Sequence, residues 1–459
     1  MASVYGVALS DLEYYSRDYV SGRIVTNENL DVKLFDALKG VMQEGKFIGG
    51  NVDILLRTTQ PYTAQAHTED ADIPYPGTVA FVKMQVPLKE VIVNAGLTLQ
   101  ARDRATGGLA SWGRIVEEVL DDQQIDLKNL LRCACMSNGT GIIAVAHGSA
   151  TGAGSVGDPY VIALENTYTT LGIENAALCQ VGMKIDVYAA NLTTKLISGG
   201  EITARTFGNR ANGAATNGSI SVVGTLLTGA LADSDVIVPT NSLNLLPMGL
   251  VGLIQDGTHY TASQGRLTTF QTQTRTSYSA LKALVWQATD FGLASESPSD
   301  GTPTVWSIGS IDDIFTTIET GTGRKQPNLL MCGKNLAKTI DRRSKEENNI
   351  TVTVSTVQAR VQPAAGSRYA TEYIAPDGRR VPIKIDNAIP DNVLYGLCLD
   401  DLNFYPFGKW DFLREYGDIW EPARGGRKTN YEAPFHGYYN IGADRVDNCF
   451  VMQDMRTDL

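Results

Sequence analysis

The feature that most constrains the fold is a pair of long strand-like stretches, separated by a polar segment, within residues 47–101. The stretches FIGGNVDILLRTTQ and TVAFVKMQVPLKEVIVNAGLT are typical of β-strands, and the second alternates over much of its length. Between them, PYTAQAHTEDADIPYPG carries three prolines and an acidic cluster. Twenty extended residues span at most about 66 Å. We therefore predict a long β-hairpin whose polar tip leaves its own domain; the alternative is a meander with a long loop.

The segments on either side of this hairpin have different patterns. Residues 1 to about 35 contain only short helical patterns, of which Asn29–Gly40 is the best, so we predict an arm that becomes ordered on another surface. Over residues 108–137, apolar side chains recur at i, i+3, i+4 and i+7. A helix of that length is a rod of about 45 Å. We predict that it is a structural spine.

The region from residue 139 to about 260 is nearly uncharged and resembles β-structure. Short apolar stretches are separated by Gly, Asn, Ser and Asp turns. These stretches are TGIIAVAH, PYVIAL, KIDVYAA, EITARTF, SISVVGTLL and DVIVPT. Their spacing predicts a small barrel or a sandwich.

The rest of the chain mixes helices and strands. We predict helices over Tyr278–Phe291, Ser310–Thr320 and Lys334–Glu347, with Ser310 and Asp313 as the capping box of the second helix. Strand signals follow at NLLMC, ITVTVS, RRVPIKID, DNVLYGLCL, FHGYYNIGA and NCFVMQD. The pattern is a mixture of strands and helices with no internal repeat.

Composition limits the functional classes. A chain of 459 residues is expected to form about three domains, or one core with large insertions. Its net charge of −11 and pI of about 5.0 exclude nucleic-acid binding through a generally basic surface. We expect neither a secretory signal nor a membrane span. The six cysteines follow no framework, which predicts free thiols in a reducing compartment.

Enzyme motifs in this sequence are weak. Gly152–Gly157 matches G-x-G-x-x-G, but the next residues predict a turn and a strand, whereas a dinucleotide site needs a helix there. There is no Walker A motif, and the four histidines share no metal-binding spacing. Cys133 and Cys135 are two residues apart on a helix, so they face different directions. We predict no enzyme, no metal site and no cofactor.

The order of several segments is similar to that of a known family. The TEDADIPYPG tip and the return strand VPLKEVIVNAGLT precede a helix that ends LKNLLRCACMSNGTGIIA. MGLVGLI, NLLMCGKNLAKTID and VPIKIDNAIPDNVLYGLCLDDLNFYPFGKWDF follow in turn. In this order the chain resembles the major capsid proteins of tailed bacteriophages, which have the Hong Kong 97 fold. The resemblance extends over almost the whole length.

The resemblance implies an α+β shell protein with a Hong Kong 97-like fold. The parts it implies are an N-terminal arm at 1–46, an extended loop at 47–101, a spine helix at 102–139, a β-rich insertion on the peripheral domain at 140–250, a peripheral-domain return at 251–300, an axial domain at 301–440, and a C-terminal strand and tail at 441–459. The extended loop would lie on an adjacent subunit.

The same resemblance implies a function and partners. The chain would be the major capsid protein of a tailed double-stranded DNA phage, forming hexamers and pentamers of an icosahedral head. Its partners would be other copies of itself, a scaffolding protein, a portal and a decoration or cement protein. DNA would be enclosed without sequence-specific binding, and no membrane is involved. The protein would reside in the virion after assembly in the host cytoplasm. Another virion protein, of a tail tube or fibre, and a bacterial encapsulating compartment protein stay open.

Charged side chains are the candidate intersubunit contacts. They belong to the loop tip, the return strand, the helix at 334–347 and a Gly-rich loop. The candidates are Glu69, Asp70, Asp72, Lys83, Lys89, Lys334, Lys338, Arg342, Lys345, Arg424, Arg427 and Lys428. The helix group fits a solvated face, a contact with acidic neighbours or a contact with packaged DNA. In some members of the family that the chain resembles, subunits are crosslinked by an isopeptide bond between an Asn and a Lys on the extended loop. Thr58–Val82 of this sequence contains no Lys, so we expect non-covalent cohesion.

Overall fold

A computed structural model provides the structure of the chain. It describes residues 50–59, 77–98, 109–164, 178–206, 218–258, 266–286, 306–322, 325–348, 361–363, 370–386, 389, 393–414, 421–422, 430–453 and 455. The predicted arm and its helix, the loop tip and the ITVTVS stretch lie outside these residues.

A two-stranded ribbon begins the described part. β1 (Asn51–Arg57) pairs antiparallel with β2 (Phe81–Pro87), as the alternation predicts. The return strand does not continue along β1, however. After Leu88 it becomes β3 (Lys89–Thr98), which pairs over ten residues with β20 (Asn430–Ala443). The hairpin predicted over 47–101 is therefore shorter, because β20 provides a longer ladder for its last part.

The spine helix packs on the sheet that β3 joins. α1 spans Leu109–Met136, close to the predicted limits. β20 lies at the centre of the sheet, with β3 along one edge and both β18 (Leu402–Phe412) and β19 (Glu421–Pro422) along the other. The buried Gln123 of α1 joins the two layers.

The predicted β-rich region is a closed barrel. Its strands are β4 (Ala144–Val145), β5 (Tyr160–Ala163), β6 (Lys184–Tyr188), β7 (Lys195–Thr206), β8 (Ser219–Val223) and β9 (Val236–Pro239). They pair antiparallel in the order β4-β9-β6-β7-β8-β5. Just beyond β4, Ala146 bridges to Leu164 beyond β5, so the first and last strands meet. Ile and Val side chains fill the interior, including Ile185, Ile197 and Val222.

The chain returns from the barrel through short elements. They are α2 (Leu250–Leu253), β10 (Thr269–Phe270), β11 (Gln273–Thr274) and β12 (Leu284–Trp286). The helix predicted over Tyr278–Phe291 is wrong in its described part, 278–286, where a short 3-10 turn precedes β12. Leu281 and Val285 have the spacing of a helix, but β12 runs parallel to a strand near the C-terminus, and that distant pairing determines its conformation.

A second sheet contains the remaining strands. These are β13 (Leu329–Cys332), β14 (Val361–Pro363), β15 (Ala370–Ile374), β16 (Arg380–Ile385), β17 (Leu394–Leu397) and β21 (Phe450–Met452). With β12 they form the order β12-β21-β17-β13-β16-β15-β14. Within the segment predicted as the axial domain at 301–440, β18 and most of β20 lie in the sheet of β3, while the other long strands lie in the seven-stranded sheet. The domain limits stay a prediction.

Two helices accompany this sheet, α3 (Ile308–Thr322) and α4 (Lys334–Asn348), close to their predicted positions. The capping box of α3 is not the predicted pair of Ser310 and Asp313. The Ser310 N–H donates to the Ser307 hydroxyl at 3.2 Å, and the Ser307 N–H donates to the Ser310 hydroxyl at 3.3 Å. The cap lies three residues earlier because the helix begins before Ser310.

One buried asparagine fixes the base of the ribbon to the rest of the molecule. The Asn440 side-chain oxygen accepts the N–H of Met248 at 2.8 Å and that of Ile441 at 2.9 Å. Its Nδ2 donates to the carbonyl of Pro87 at 2.6 Å. The ribbon, the end of the barrel segment and β20 therefore meet at a single side chain.

Candidate assembly surfaces

The ribbon has one buried face and one exposed face. Val52, Leu56, Met84 and Val86 are buried on the inner face. The other face exposes Leu55 by 70% and Phe81 by 60%. The two residues are diagonal neighbours across the strands, because Leu55 lies opposite Lys83 and Phe81 lies opposite Arg57. We call this face, formed by Asp53, Leu55, Arg57, Phe81 and Lys83, the outer ribbon face.

An ion pair orders the polar part of the outer ribbon face. The Lys83 ammonium lies 2.8 Å from an Asp53 carboxylate oxygen, and Gln85 Nε2 donates to the other oxygen at 3.0 Å. The hydrogen bond from Lys83, supported by that from Gln85, lowers the pKa of Asp53. The carboxylate is therefore held charged beside the exposed Leu55.

The sheet of β3, β20 and β18 also exposes apolar side chains. Ile92 is 50% exposed and Phe407 is 48% exposed. Across the strands, Ile92 lies opposite His436, and Phe407 lies opposite Tyr438. The Phe407 and Tyr438 rings meet edge to face at 6.2 Å, and His436 Nδ1 lies 3.3 Å from a Glu90 carboxylate oxygen. This outer sheet face therefore combines apolar and acidic groups.

The loop between β4 and β5 presents a single apolar side chain. Val156 is 87% exposed, the largest value among the exposed large hydrophobic residues described. Backbone hydrogen bonds from Ala153 and Ser155 to the Asp158 carbonyl, each 3.1 Å, hold the loop around it. The G-x-G-x-x-G sequence lies here, and the strand β5 follows it as predicted.

Two of the predicted contact lysines lie near the ribbon and have internal partners. Lys83 pairs with Asp53 on the outer ribbon face. Lys89 Nζ donates to the Asn244 carbonyl at 2.7 Å, and burial lowers the pKa of Lys89. Lys89 thus connects β3 to the end of the barrel segment within one subunit. A contact of either lysine with another subunit stays a prediction.

The predicted basic helix face is present on α4. The side chains of Lys334, Lys338 and Arg342 are exposed and lie along one side of the helix, opposite the buried Leu336 and Ile340. The remaining predicted contacts fall where no side chain is described. They are Glu69, Asp70, Asp72, Lys345, Arg424, Arg427 and Lys428.

The sequence prediction missed the apolar contact candidates, because it selected charged residues only. The sequence does mark these apolar contact residues: they occur where two or three apolar residues are adjacent in a strand, so that apolar and polar residues no longer alternate. Ile54-Leu55-Leu56 and Phe81-Val82 each place apolar side chains on both faces of a strand. One of those faces packs on the molecule, so the other face is left for solvent or a partner.

The cysteines are shielded from solvent. All six cysteines are free and buried. Burial raises the pKa of Cys133 and Cys179 to about 12, so these thiols stay protonated. Within the part of the chain that the structure covers, no group of His, Cys, Asp and Glu has the arrangement of a metal site. None of the helices described there is long and apolar enough to cross a membrane.

Comparisons with known proteins return shell proteins. No protein-family profile matches the chain, and no curated protein sequence matches it. The chain is similar to the capsid asymmetric unit of cyanophage A-1(L), with 11% identity over 93% of each chain and a TM-score of 0.48.

Two further solved structures are similar over comparable lengths. For the capsid of a native GTA particle, the identity is 9% over 92% of this chain and 90% of that chain, with a TM-score of 0.39. For the SrpI encapsulin complex of Synechococcus elongatus PCC 7942, it is 8% over 92% and 87%, with a TM-score of 0.35.

Proposed function

We propose that this chain is the major capsid protein of a tailed double-stranded DNA phage, and that it assembles into hexamers and pentamers of an icosahedral head. The observation that carries the proposal is the presence of two separate exposed faces that each carry more than one apolar side chain: Leu55 and Phe81 on the outer ribbon face, and Ile92 and Phe407 on either side of β20 on the outer sheet face. A dimer needs one such surface, whereas a closed shell needs several on each subunit.

Each surface has a place in this proposal. The ribbon and its tip at 60–76 extend over a neighbouring subunit, where Leu55 and Phe81 are removed from water. The barrel lies on the outside of the shell and contacts neighbours or a decoration protein. The sheet of β3 and α1 belong to the peripheral domain, and the seven-stranded sheet belongs to the axial domain around the capsomer centre.

The proposal also includes partners other than copies of this chain. A scaffolding protein and a portal direct assembly in the host cytoplasm, and the finished protein resides in the virion. DNA is enclosed without sequence-specific binding, which agrees with the net charge of −11. The exposed Lys334, Lys338 and Arg342 on α4 are the groups we assign to an acidic neighbour or to that DNA.

Electron microscopy and sedimentation of the purified protein test the proposal. We expect closed icosahedral particles, and in phage lysates we expect this chain in DNA-filled heads with a portal vertex. Open tubes would instead support a tail protein, and closed particles without a portal or DNA would support a bacterial compartment. A small closed oligomer under assembly conditions would contradict a shell function.

The same particles test where the barrel lies. We expect density for residues 140–250 on the outer surface of the peripheral domain. A map in which these residues are buried around the centre of the hexamer would contradict this placement.

A further inference from the structure

The hydrogen bonds of the ribbon determine which backbone groups β1 directs outward. Leu88 N–H donates to the Gly50 carbonyl at 3.0 Å, and Thr58 N–H donates to the Ala80 carbonyl at 2.9 Å. Even-numbered residues from Gly50 to Thr58 therefore direct their N–H and C=O groups toward β2. Because these directions alternate along a strand, Asp53, Leu55 and Arg57 direct theirs to the opposite edge.

The two outer edges of the ribbon differ. The outer edge of β2 is closed by the body of the molecule: Gln85 N–H donates to the Gln271 carbonyl at 3.0 Å, and Gln273 Nε2 donates to the Lys83 carbonyl at 2.7 Å. Among the described residues, no backbone hydrogen bond reaches the outward groups of Asp53, Leu55 or Arg57. An open strand edge of this kind is a template for another strand.

The side chains along this open edge are complementary to those of a second, antiparallel copy of the same strand. In order, the outer ribbon face places an acid, an apolar residue and a base on β1: Asp53, Leu55 and Arg57. If a second β1 runs antiparallel with its Leu55 opposite the first Leu55, Asp53 faces the second copy's Arg57, and Arg57 faces its Asp53. On the inner face, the same register places Ile54 opposite the second copy's Leu56.

We propose that β1 pairs antiparallel with β1 of a second copy, about a two-fold axis through Leu55. The contact contains three hydrogen-bonded residue pairs, removes the exposed Leu55 from water and joins opposite charges on both sides of it. It rests on the proposed shell function and specifies one of its contacts. An isologous contact of this kind links neighbouring rings, while head-to-tail contacts close each ring.

A cysteine at the axis tests the register. In a hydrogen-bonded antiparallel pair the Cα atoms are about 5.5 Å apart, which lies inside the range of about 4.4–6.8 Å that a disulfide allows. With a mild chemical oxidant as electron acceptor, assembled Leu55→Cys protein should form disulfide-linked dimers on a non-reducing gel. Wild-type protein is the background control, because its own thiols are buried.

An off-axis pair makes the test specific. Arg57→Cys protein alone should not crosslink, because Asp53 of the second copy lies opposite position 57. Particles assembled from a mixture of Arg57→Cys and Asp53→Cys subunits should crosslink. Efficient crosslinking of Arg57→Cys alone, or none of Leu55→Cys, would overturn the proposed register.

Proline at position 55 tests whether the edge itself is used. Leu55→Pro removes an N–H that the β1–β2 ladder does not use, and proline is tolerated at strand edges. Leu55→Ala is the matched control, because it removes the same side chain and keeps the N–H. We expect a roughly tenfold lower particle yield for the proline variant than for the alanine variant, from lost hydrogen bonds at each contact. The free subunits of the two variants should have the same circular dichroism spectrum and the same melting temperature, which would show that both are folded.

The outcomes separate this inference from the proposed function. If wild-type protein forms particles but the proline and alanine variants assemble equally, the edge pairing is wrong and the shell function stands. Residues 1–49 contain no cysteine of their own, so a second cysteine introduced there tests whether the arm occupies the edge. If Leu55→Cys crosslinks only to that cysteine and not to Leu55→Cys of a second copy, the pairing is contradicted. If wild-type protein forms no particles, the shell function fails, and a Leu55→Cys dimer in solution would still support the pairing.

Discussion

At the scale of single residues, the barrel depends on a buried carboxylate. Asp186 is fully buried, and its oxygens accept hydrogen bonds from Lys195 Nζ at 2.7 Å, Gly199 N–H at 2.8 Å and Asn241 N–H at 2.9 Å. Burial alone would raise the pKa of Asp186, but these three hydrogen bonds outweigh it and lower the pKa. The charged form is therefore the one that the barrel stabilises.

Replacing this carboxylate should destabilise the subunit. Asp186→Asn leaves at least one donor facing an amide N–H₂ group, so we expect the free energy of unfolding to fall by about 3 kcal/mol at neutral pH. Urea unfolding of free subunits measures it. Glu372→Gln is the control: Glu372 pairs with Arg380 at the surface at 3.6 Å, so its loss should change stability by less than about 0.5 kcal/mol. Equal effects would contradict this account.

The lowered pKa of Asp186 also predicts a pH dependence. The pKa is below that of the unfolded chain, so its stabilising contribution is complete above the ordinary Asp value of about 3.9 and is lost as the pH falls through the lower folded value. The stability difference between wild type and Asp186→Asn should therefore be constant from pH 7 to pH 5 and should shrink in stronger acid. A difference that is unchanged at the lowest pH where the protein folds would contradict this prediction.

At the scale of elements, one side chain joins the spine helix to the sheet beneath it. Gln123 Nε2 donates to the Val93 carbonyl of β3 at 3.0 Å and to the Ala433 carbonyl of β20 at 2.8 Å. The two strands are thereby fixed to each other and to α1. A buried amide in this position also determines how far α1 can slide along the sheet.

Removing this amide should loosen the whole layer. Gln123→Met keeps the length of the side chain, but each of the two buried carbonyls loses one hydrogen bond. We expect the free energy of unfolding to fall by about 2–4 kcal/mol in total. Ile125→Met is the matched control on the same helix, because Ile125 is exposed. Thermal unfolding and amide exchange of β3 and β20 measure the effect. The prediction fails if both variants melt at the wild-type temperature.

At the scale of the whole molecule, we predict that the tip of the ribbon is needed for assembly but not for folding of the subunit. Its strands are anchored by Gln271, Gln273 and Asn440, and its tip at 60–76 lies outside the described residues. Deleting residues 60–76 should leave a soluble, folded subunit that forms defective shells. Sedimentation and microscopy of the deletion variant test this, and normal shells would contradict it.

The cohesion of the shell should be non-covalent. The two lysines of the return strand have internal partners, Asp53 and the Asn244 carbonyl, and the cysteines are buried. Boiled virions on a denaturing gel should therefore give a single band near the subunit mass of 49.6 kDa. A ladder of larger species would contradict the prediction.

Much of the fold follows from local patterns. Periodicity predicted α1, α3 and α4, and the six barrel strands lie where short apolar stretches alternate with turn residues. These elements follow from the sequence because a helix or a short strand is encoded by nearest neighbours along the chain. Of the candidate site, the basic face of α4 followed for the same reason, since a four-residue spacing places charges on one side of a helix.

Only the tertiary structure decided how distant segments pair. It moved β3 from the hairpin to β20, replaced the predicted helix over its described part, 278–286, by turns and a strand beside β21, and closed the barrel between Ala146 and Leu164. It also decided that Leu55 and Phe81 are exposed while Leu56 and Met84 are buried. In each case, two segments could bury the same apolar side chains or bond the same backbone groups, and the more stable pairing is the one that forms. The segments that compete are far apart in the sequence, so local patterns do not show which pairing is more stable.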